Sequence, residues 1–185
     1  MNIDALSIEQ QEMLIQATQK SSIVDFGGYD GDLALWLLRH GAKNVLVIDK
    51  EMPNRRARFR NSLLYMREYF ENVPPEVLDG YDTAVLCRPS NNRASMAALV
   101  HLLPKFHRVI YIGLNDETTA TGMPSLFVYL LNRKLELYIE NHPYRLLMYG
   151  EPLAEARLPV AEELAGLHSD DSIADAKAVA KLDIT

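Results

Sequence analysis

The residues best suited to chemistry are Asp25, Gly27, Gly28 and Gly31 in the stretch VDFGGYDGDLA, together with Asp49 at the end of NVLVID. An apolar run passing through glycines into a helix-like run gathers backbone N–H groups and the positive end of a helix at one point. It also leaves room where side chains would obstruct a ligand. An acid closing the next apolar run stands where its carboxylate can accept hydrogen bonds from ribose hydroxyls. Taken alone, Asp49 reads as a solvated strand-end carboxylate and the glycines as a tight turn. At this spacing the combination points to a nucleotide-type pocket. The dinucleotide pattern G-x-G-x-x-G fits poorly: begun at Gly27 it requires glycine at Tyr29 and Asp32, and begun at Phe26 it recovers only Gly28 and Gly31.

Other candidates are weaker. Arg88, Ser90 and Asn91 follow the fourth expected strand and fall at the carboxyl ends of the strands, where a substrate would enter. Cys87, immediately before them, reads as a buried structural thiol. Ser90 lacks the surroundings of a nucleophile elbow. The run NRRARFR places Arg55, Arg56, Arg58 and Arg60 around Phe59, a set that could pair with phosphates and stack on a base, or form a solvated basic surface. His40, His101, His107, His142 and His168 are scattered, with no pair at metal-ligand spacing, so no metal is expected.

The elements that must position these residues follow from local pattern. Ser7-Ile8-Glu9-Gln10 has capping-box spacing and predicts a helix to about Lys20. SIVDF reads as a strand, Leu33 to Leu38 as a helix stopped at His40-Gly41, and NVLVID as a second strand. From Met52 to Asn72 the pattern allows one long helix, or a loop followed by the strand SLLYMR, which is the preferred reading. Then come the strand DTAVLC, the helix RASMAALVHLLPKF, the strand RVIYIGL and a Pro-initiated helix PSLFVYLLNRK. Such alternation predicts a parallel sheet covered on both faces. The alternation ends at LELYIE and RLLMY, whose connection NHPY is too short for a parallel crossover, so these two must form an antiparallel hairpin.

The chain has 185 residues, 48% hydrophobic and 24% charged, which is ordinary for one folded domain and argues against a largely disordered chain. Its formal charge of −6 is concentrated in residues 151–185, which hold eight acidic and three basic side chains, so no global nucleic-acid footprint exists. A single cysteine excludes an intrachain disulfide and suits a reducing compartment. Without a basic-then-apolar leader or an uninterrupted membrane-length run, the expected location is cytoplasmic. The expected organisation is an α/β domain over residues 1–150, with the N-terminal helix in 1–20. An acidic, Ala-rich extension over 151–185 is expected to be a peripheral helix or mobile.

VDFGGYDGDLA resembles motif I of the class I S-adenosylmethionine-dependent methyltransferases, an acid followed by G-x-G-x-G. Asp25, Gly27 and Gly31 fall on that pattern, and Tyr29 stands at its middle glycine. The resemblance covers roughly residues 20–150, counted as six strand–helix units followed by the hairpin. It implies a Rossmann-like, doubly wound, mostly parallel sheet with a C-terminal antiparallel hairpin, and S-adenosyl-L-methionine as cofactor. It further implies that Asp25, Gly27, Gly28, Tyr29 and Gly31 surround the methionine part, that Asp49 holds the ribose, and that Glu68 stands near the adenine. The leading function is methyl transfer to an acceptor left open among small molecule, protein and nucleic acid. A non-catalytic, methyltransferase-like partner protein is the alternative. A nicotinamide-dependent oxidoreductase fits less well, because dinucleotide folds end on a parallel strand.

Overall fold

A computed structural model describes residues 3–51, 58–59, 61–89, 92–114, 126, 129–141 and 143–153. The first helix, α1 (Ile8–Thr18), opens with the expected capping box: Ser7 Oγ accepts from Gln10 N–H, and Gln10 Oε1 accepts from Ser7 N–H. It ends just short of Lys20, whose φ of 66° turns the chain into β1 (Ser22–Phe26). Then come α2 (Asp32–Arg39) and β2 (Asn44–Asp49), followed by β3 (Leu63–Arg67) and β4 (Thr83–Cys87). The last elements are α3 (Arg93–Leu102), β5 (Arg108–Leu114), β6 (Arg133–Asn141) and β7 (Tyr144–Pro152).

The strands form one seven-stranded sheet in the order β3-β2-β1-β4-β5-β7-β6. The first five run parallel, and β7 lies antiparallel between β5 and β6. This is the expected doubly wound sheet with its late hairpin. Period-two alternation sends Val24 and Phe26 to one face with Met96, Leu99 and Leu103, and Ile23 to the other with Leu14, Leu33 and Leu37. Both faces are covered, so the central strands read as continuous apolar runs.

Three sequence expectations need correction. The parallel strands number five, and β3 joins β4 through two 3-10 turns, Phe70–Asn72 and Pro75–Leu78, in place of a full crossover helix. Pro74 and Pro75 account for this, since neither can donate a helical hydrogen bond. The helix after Asn92 stops at Leu102 and tightens into a 3-10 turn over Leu103–Lys105 at Pro104. Arg133 and Lys134, expected at the end of a helix, open β6, and β7 runs past Gly150 to Pro152. The loop-and-strand reading of residues 52–72 agrees with β3, although residues 52–57 and 60 lie outside the described residues. Pro124, Ser125, Phe127 and Val128 of the PSLFVYLLNRK segment and residues 154–185 lie outside them too.

The hairpin is held to the body by polar groups that are fully engaged. Arg133 is only 2% exposed. Its Nε donates to Gly150 O at 2.7 Å, one terminal nitrogen to Phe106 O at 2.6 Å and His107 O at 3.1 Å, and the other to Tyr129 Oη at 3.1 Å. At the far end, buried Gln10 Nε2 donates to Tyr144 O at 2.9 Å, tying α1 to the start of β7. Replacing Arg133 by Met conserves volume but strips several buried acceptors at once. Arg133→Met is therefore expected to lose about 3 kcal/mol of stability. In urea melts this should appear as a lower midpoint with an unchanged slope, and an unchanged midpoint would disprove the anchoring role.

Candidate functional site

The carboxyl ends of β1, β2 and β4 converge on the loop Gly27–Gly31. Gly27 and Gly31 have φ of 78° and 81°, in the left-handed region that glycine tolerates without cost. The three glycines serve different ends. A Cβ on Gly27 would have nothing nearer than Phe70 Cζ at 4.0 Å, so that position borders open space. A Cβ on Gly28 would lie 2.3 Å from Asp25 Oδ2, so this glycine makes room for the carboxylate. A Cβ on Gly31 would lie 2.2 Å from the Tyr65 hydroxyl, which donates to Asp30 O at 2.8 Å. Gly31 thus serves packing between β3 and the start of α2, and it borders neither of the cavities below.

Asp25 occupies a position that alternation assigns to the apolar α2 face of the sheet. Its side chain is fully buried, and neither carboxylate oxygen has a hydrogen-bond partner among the described residues. Burial is the main cause that raises its pKa from 3.8 to about 7, and the negative charges of Asp49 and Asp30 add to the shift. The carboxylate borders a cavity of about 260 Å³ whose other walls include Gly27, Gly28, Tyr29, Asp30, Leu33, Cys87 and Arg88.

A second cavity of about 200 Å³ meets the first at Gly27, Cys87 and Arg88. Its polar wall is Asp49, Lys50 and Glu68, and its apolar wall includes Phe26, Phe70, Pro89 and Leu99. Asp49 is held by two backbone donors, Tyr29 N–H to Oδ2 at 3.0 Å and Glu51 N–H to Oδ1 at 2.8 Å. Each oxygen keeps a lone pair for a further donor. Glu68 N–H donates to Asp49 O at 3.1 Å, which sets the two acids side by side. The Glu68 carboxylate accepts from Asn72 and from Tyr69 N–H, and these bonds hold its pKa below the usual carboxylate value.

Tyr29 contributes its backbone amide to Asp49, while its ring is turned outward and is 49% exposed. Its φ of 47° places a bulky residue in left-handed backbone, a strain of roughly 1–3 kcal/mol. Arg88 has the same departure at 52°; its N–H donates to Ile112 O at 2.7 Å. The Cys87 thiol is pushed up to about 12, chiefly by burial, so it is no thiolate nucleophile and fits the structural reading. Ser90, Asn91, Arg55, Arg56 and Arg60 lie outside the described residues, and Arg58 borders neither cavity. Sequence reasoning missed Lys50, Phe70, Pro89, Asn92, Ser95 and Leu99. Their position just after β2, β3 and β4 was the available signal, but their residue types carry no motif.

No family model matches the sequence, and no curated protein matches it. Solved structures do resemble it. N-methyltransferase NodS from Bradyrhizobium japonicum WM9 aligns with a TM-score of 0.58 at 13% identity, over 78% of this chain and 93% of that one. A Burkholderia thailandensis 1,6-didemethyltoxoflavin-N1-methyltransferase, with bound 1,6-didemethyltoxoflavin and S-adenosylhomocysteine, aligns at 0.57 and 14%, over 78% and 77%. M. capricolum TrmK in complex with S-adenosylhomocysteine aligns at 0.54 and 12%, over 87% and 75%. At such identities the likeness establishes the fold, which is the Rossmann-like fold of class I methyltransferases.

The buried Asp25 makes stability fall with rising pH. Its folded pKa of about 7 exceeds its ordinary value of 3.8, so between these values the folded chain holds a proton that the unfolded chain has released. The stabilising contribution is therefore complete below the unfolded pKa and lost as pH rises through the folded one. Asp25→Asn should flatten this profile and, at pH 8, raise stability by an amount on the order of 4 kcal/mol. Urea midpoints of both proteins from pH 4 to 8 provide the check, and parallel profiles would refute it.

Proposed function

We propose that the chain is an S-adenosylmethionine-dependent methyltransferase whose cofactor spans the two joined cavities. The observation that carries this reading is the buried Asp25 carboxylate, which has no hydrogen-bond partner among the described residues and borders a glycine-walled cavity. A carboxylate so placed suits a cation, and the α-ammonium of a methionine moiety meets that need. Asp49, with both oxygens still able to accept, suits ribose hydroxyls, and the apolar wall beside Glu68 suits a flat base. When bound, the cofactor supplies an electrophilic methyl group on a sulfonium.

The residues of this chain orient and desolvate. Asp25 and Asp49 fix the two ends of the ligand, and Gly27 and Gly28 let it approach the backbone. Cys87, whose pKa burial raises to about 12, stays a neutral thiol in the wall, and methyl transfer to the acceptor needs no covalent enzyme intermediate. The antiparallel β7 between β5 and β6 supports this reading over a nicotinamide-dependent oxidoreductase. The second reading is a cofactor-binding partner protein without catalysis; the aromatic residue at the middle glycine position favours it. Incorporation of labelled methyl groups into acceptor libraries separates the two. No helix among the described residues is long and apolar enough to cross a membrane.

Calorimetry with S-adenosylhomocysteine, S-adenosylmethionine and NAD tests the cofactor class: the first two should bind and NAD should not. Asp49→Ala should weaken S-adenosylhomocysteine by about 1–3 kcal/mol. Pairing with an ammonium requires the ionised form of Asp25, so affinity should fall roughly tenfold per pH unit below about 7 and level off above it. Asp25→Asn should bind weakly with no such slope. NAD binding, or a slope that survives in Asp25→Asn, would defeat the assignment.

A further inference from the structure

Tyr29 and Arg88 are the two non-glycine residues of positive φ that border the first cavity. Glycine would occupy either backbone without strain, and Tyr29 stands where the motif pattern itself carries glycine. The chain instead keeps an aromatic ring and a guanidinium there, each on an anchored backbone: Tyr29 N–H is held by Asp49, and Arg88 N–H by Ile112 O. Both side chains are exposed at the opening. Arg88 forms no ion pair among the described residues.

The charge around the opening is graded. Asp25 is buried and Asp49 is part-buried, where the cofactor reading engages them, and Asp30 accepts from Asp32 N–H at 3.2 Å. The outer rim carries Arg88 and exposed Lys50, beside a Glu68 carboxylate that is already engaged by Asn72 and Tyr69 N–H. Asn92 and Ser95, from the N-terminal end of α3, border the same second cavity and add the partial positive charge of a helix end. A ligand arriving over the cofactor site therefore meets a guanidinium that forms no ion pair among the described residues, with an exposed aromatic ring on the same cavity wall.

We propose that Tyr29 and Arg88 select a small acceptor that carries an anionic group, carboxylate or phosphate, on a flat conjugated ring. The guanidinium pairs with the anion in a fork geometry, and the tyrosine ring stacks on the flat face. This rests on the methyltransferase reading for the location of the acceptor, and on the two side chains for its chemistry.

The test uses the full chain saturated with S-adenosylhomocysteine and titrated with four probes. Salicylate and phenyl phosphate carry ring and charge, salicylamide lacks the charge, and cyclohexanecarboxylate lacks the flat ring. At least one of the first two should bind about tenfold tighter than either control, and which of them does so distinguishes carboxylate from phosphate. Tyr29→Gly and Arg88→Asn both tolerate positive φ and should fold. Measured at S-adenosylhomocysteine concentrations that saturate each variant, Tyr29→Gly should erase the preference over cyclohexanecarboxylate, and Arg88→Asn the preference over salicylamide. Absence of probe binding, equal binding of all four, or preferences that persist in the variants would overturn the proposal. So would a tenfold loss of S-adenosylhomocysteine affinity in Arg88→Asn, which would assign that residue to the cofactor. If S-adenosylhomocysteine fails to bind the wild type while the probe preferences persist, the methyltransferase reading falls and the ring-and-anion pair stands.

Discussion

A carboxylate buried at the carboxyl end of β1 sets the terms for the rest of the site. Asp25 takes a place that the sheet would otherwise give to an apolar residue, between Val47 of β2 and Val85 of β4 in the parallel ladder. The remainder of β1 is buried, and the partners of Val24 and Phe26 on both sides are apolar, so the strand holds its register despite one unfavourable group. Gly28 follows directly from it, because any side chain there would collide with the carboxylate. The glycine loop is thus shaped as much from inside, by Asp25 and Tyr65, as by anything entering from solvent.

The contrast with the other end of the molecule sharpens the assignment. Arg133 and Gln10 are as deeply buried as Asp25, and both spend their donors on backbone carbonyls and a neighbouring hydroxyl. Those groups stabilise the junction between hairpin, sheet and α1. Folded chains satisfy buried polar groups as a rule, and Asp25 is an exception that borders a cavity, which is what supports the proposed cofactor site. Stability is spent at the site and recovered at the hairpin, which fits a fold whose rigid frame carries a strained, charged opening.

Strain and charge are distributed consistently with that division. Positive φ at Tyr29 and Arg88 falls at the cavity, and Asp49 reaches back to fix the Tyr29 amide. One carboxylate therefore shapes the glycine loop from the neighbouring strand. The Cys87 thiol, its pKa raised chiefly by burial, lines both cavities beside Arg88.

Strands β1, β2 and β5 and the α1 capping box were legible because each is a local pattern: an apolar run with a defined end, or a cap whose donors lie three residues away. The hairpin was legible from connection length alone, a constraint of geometry. Asp25, the glycines and Asp49 were legible as a spacing. Three things waited for the tertiary structure. The fate of Arg133 was one, since a basic residue at the end of an apolar run looks like a helix terminus until carbonyls from distant elements surround it. The reason for Gly31 was another, because Tyr65 is distant in sequence and meets the loop only through β3 pairing. The third was the pairing of Tyr29 with Arg88 on one opening, which depends on β1 and β4 lying side by side. Local pattern determines which segments become strands and helices. Only packing decides which side chains from separate segments share a cavity, because that depends on contacts between residues far apart in the chain.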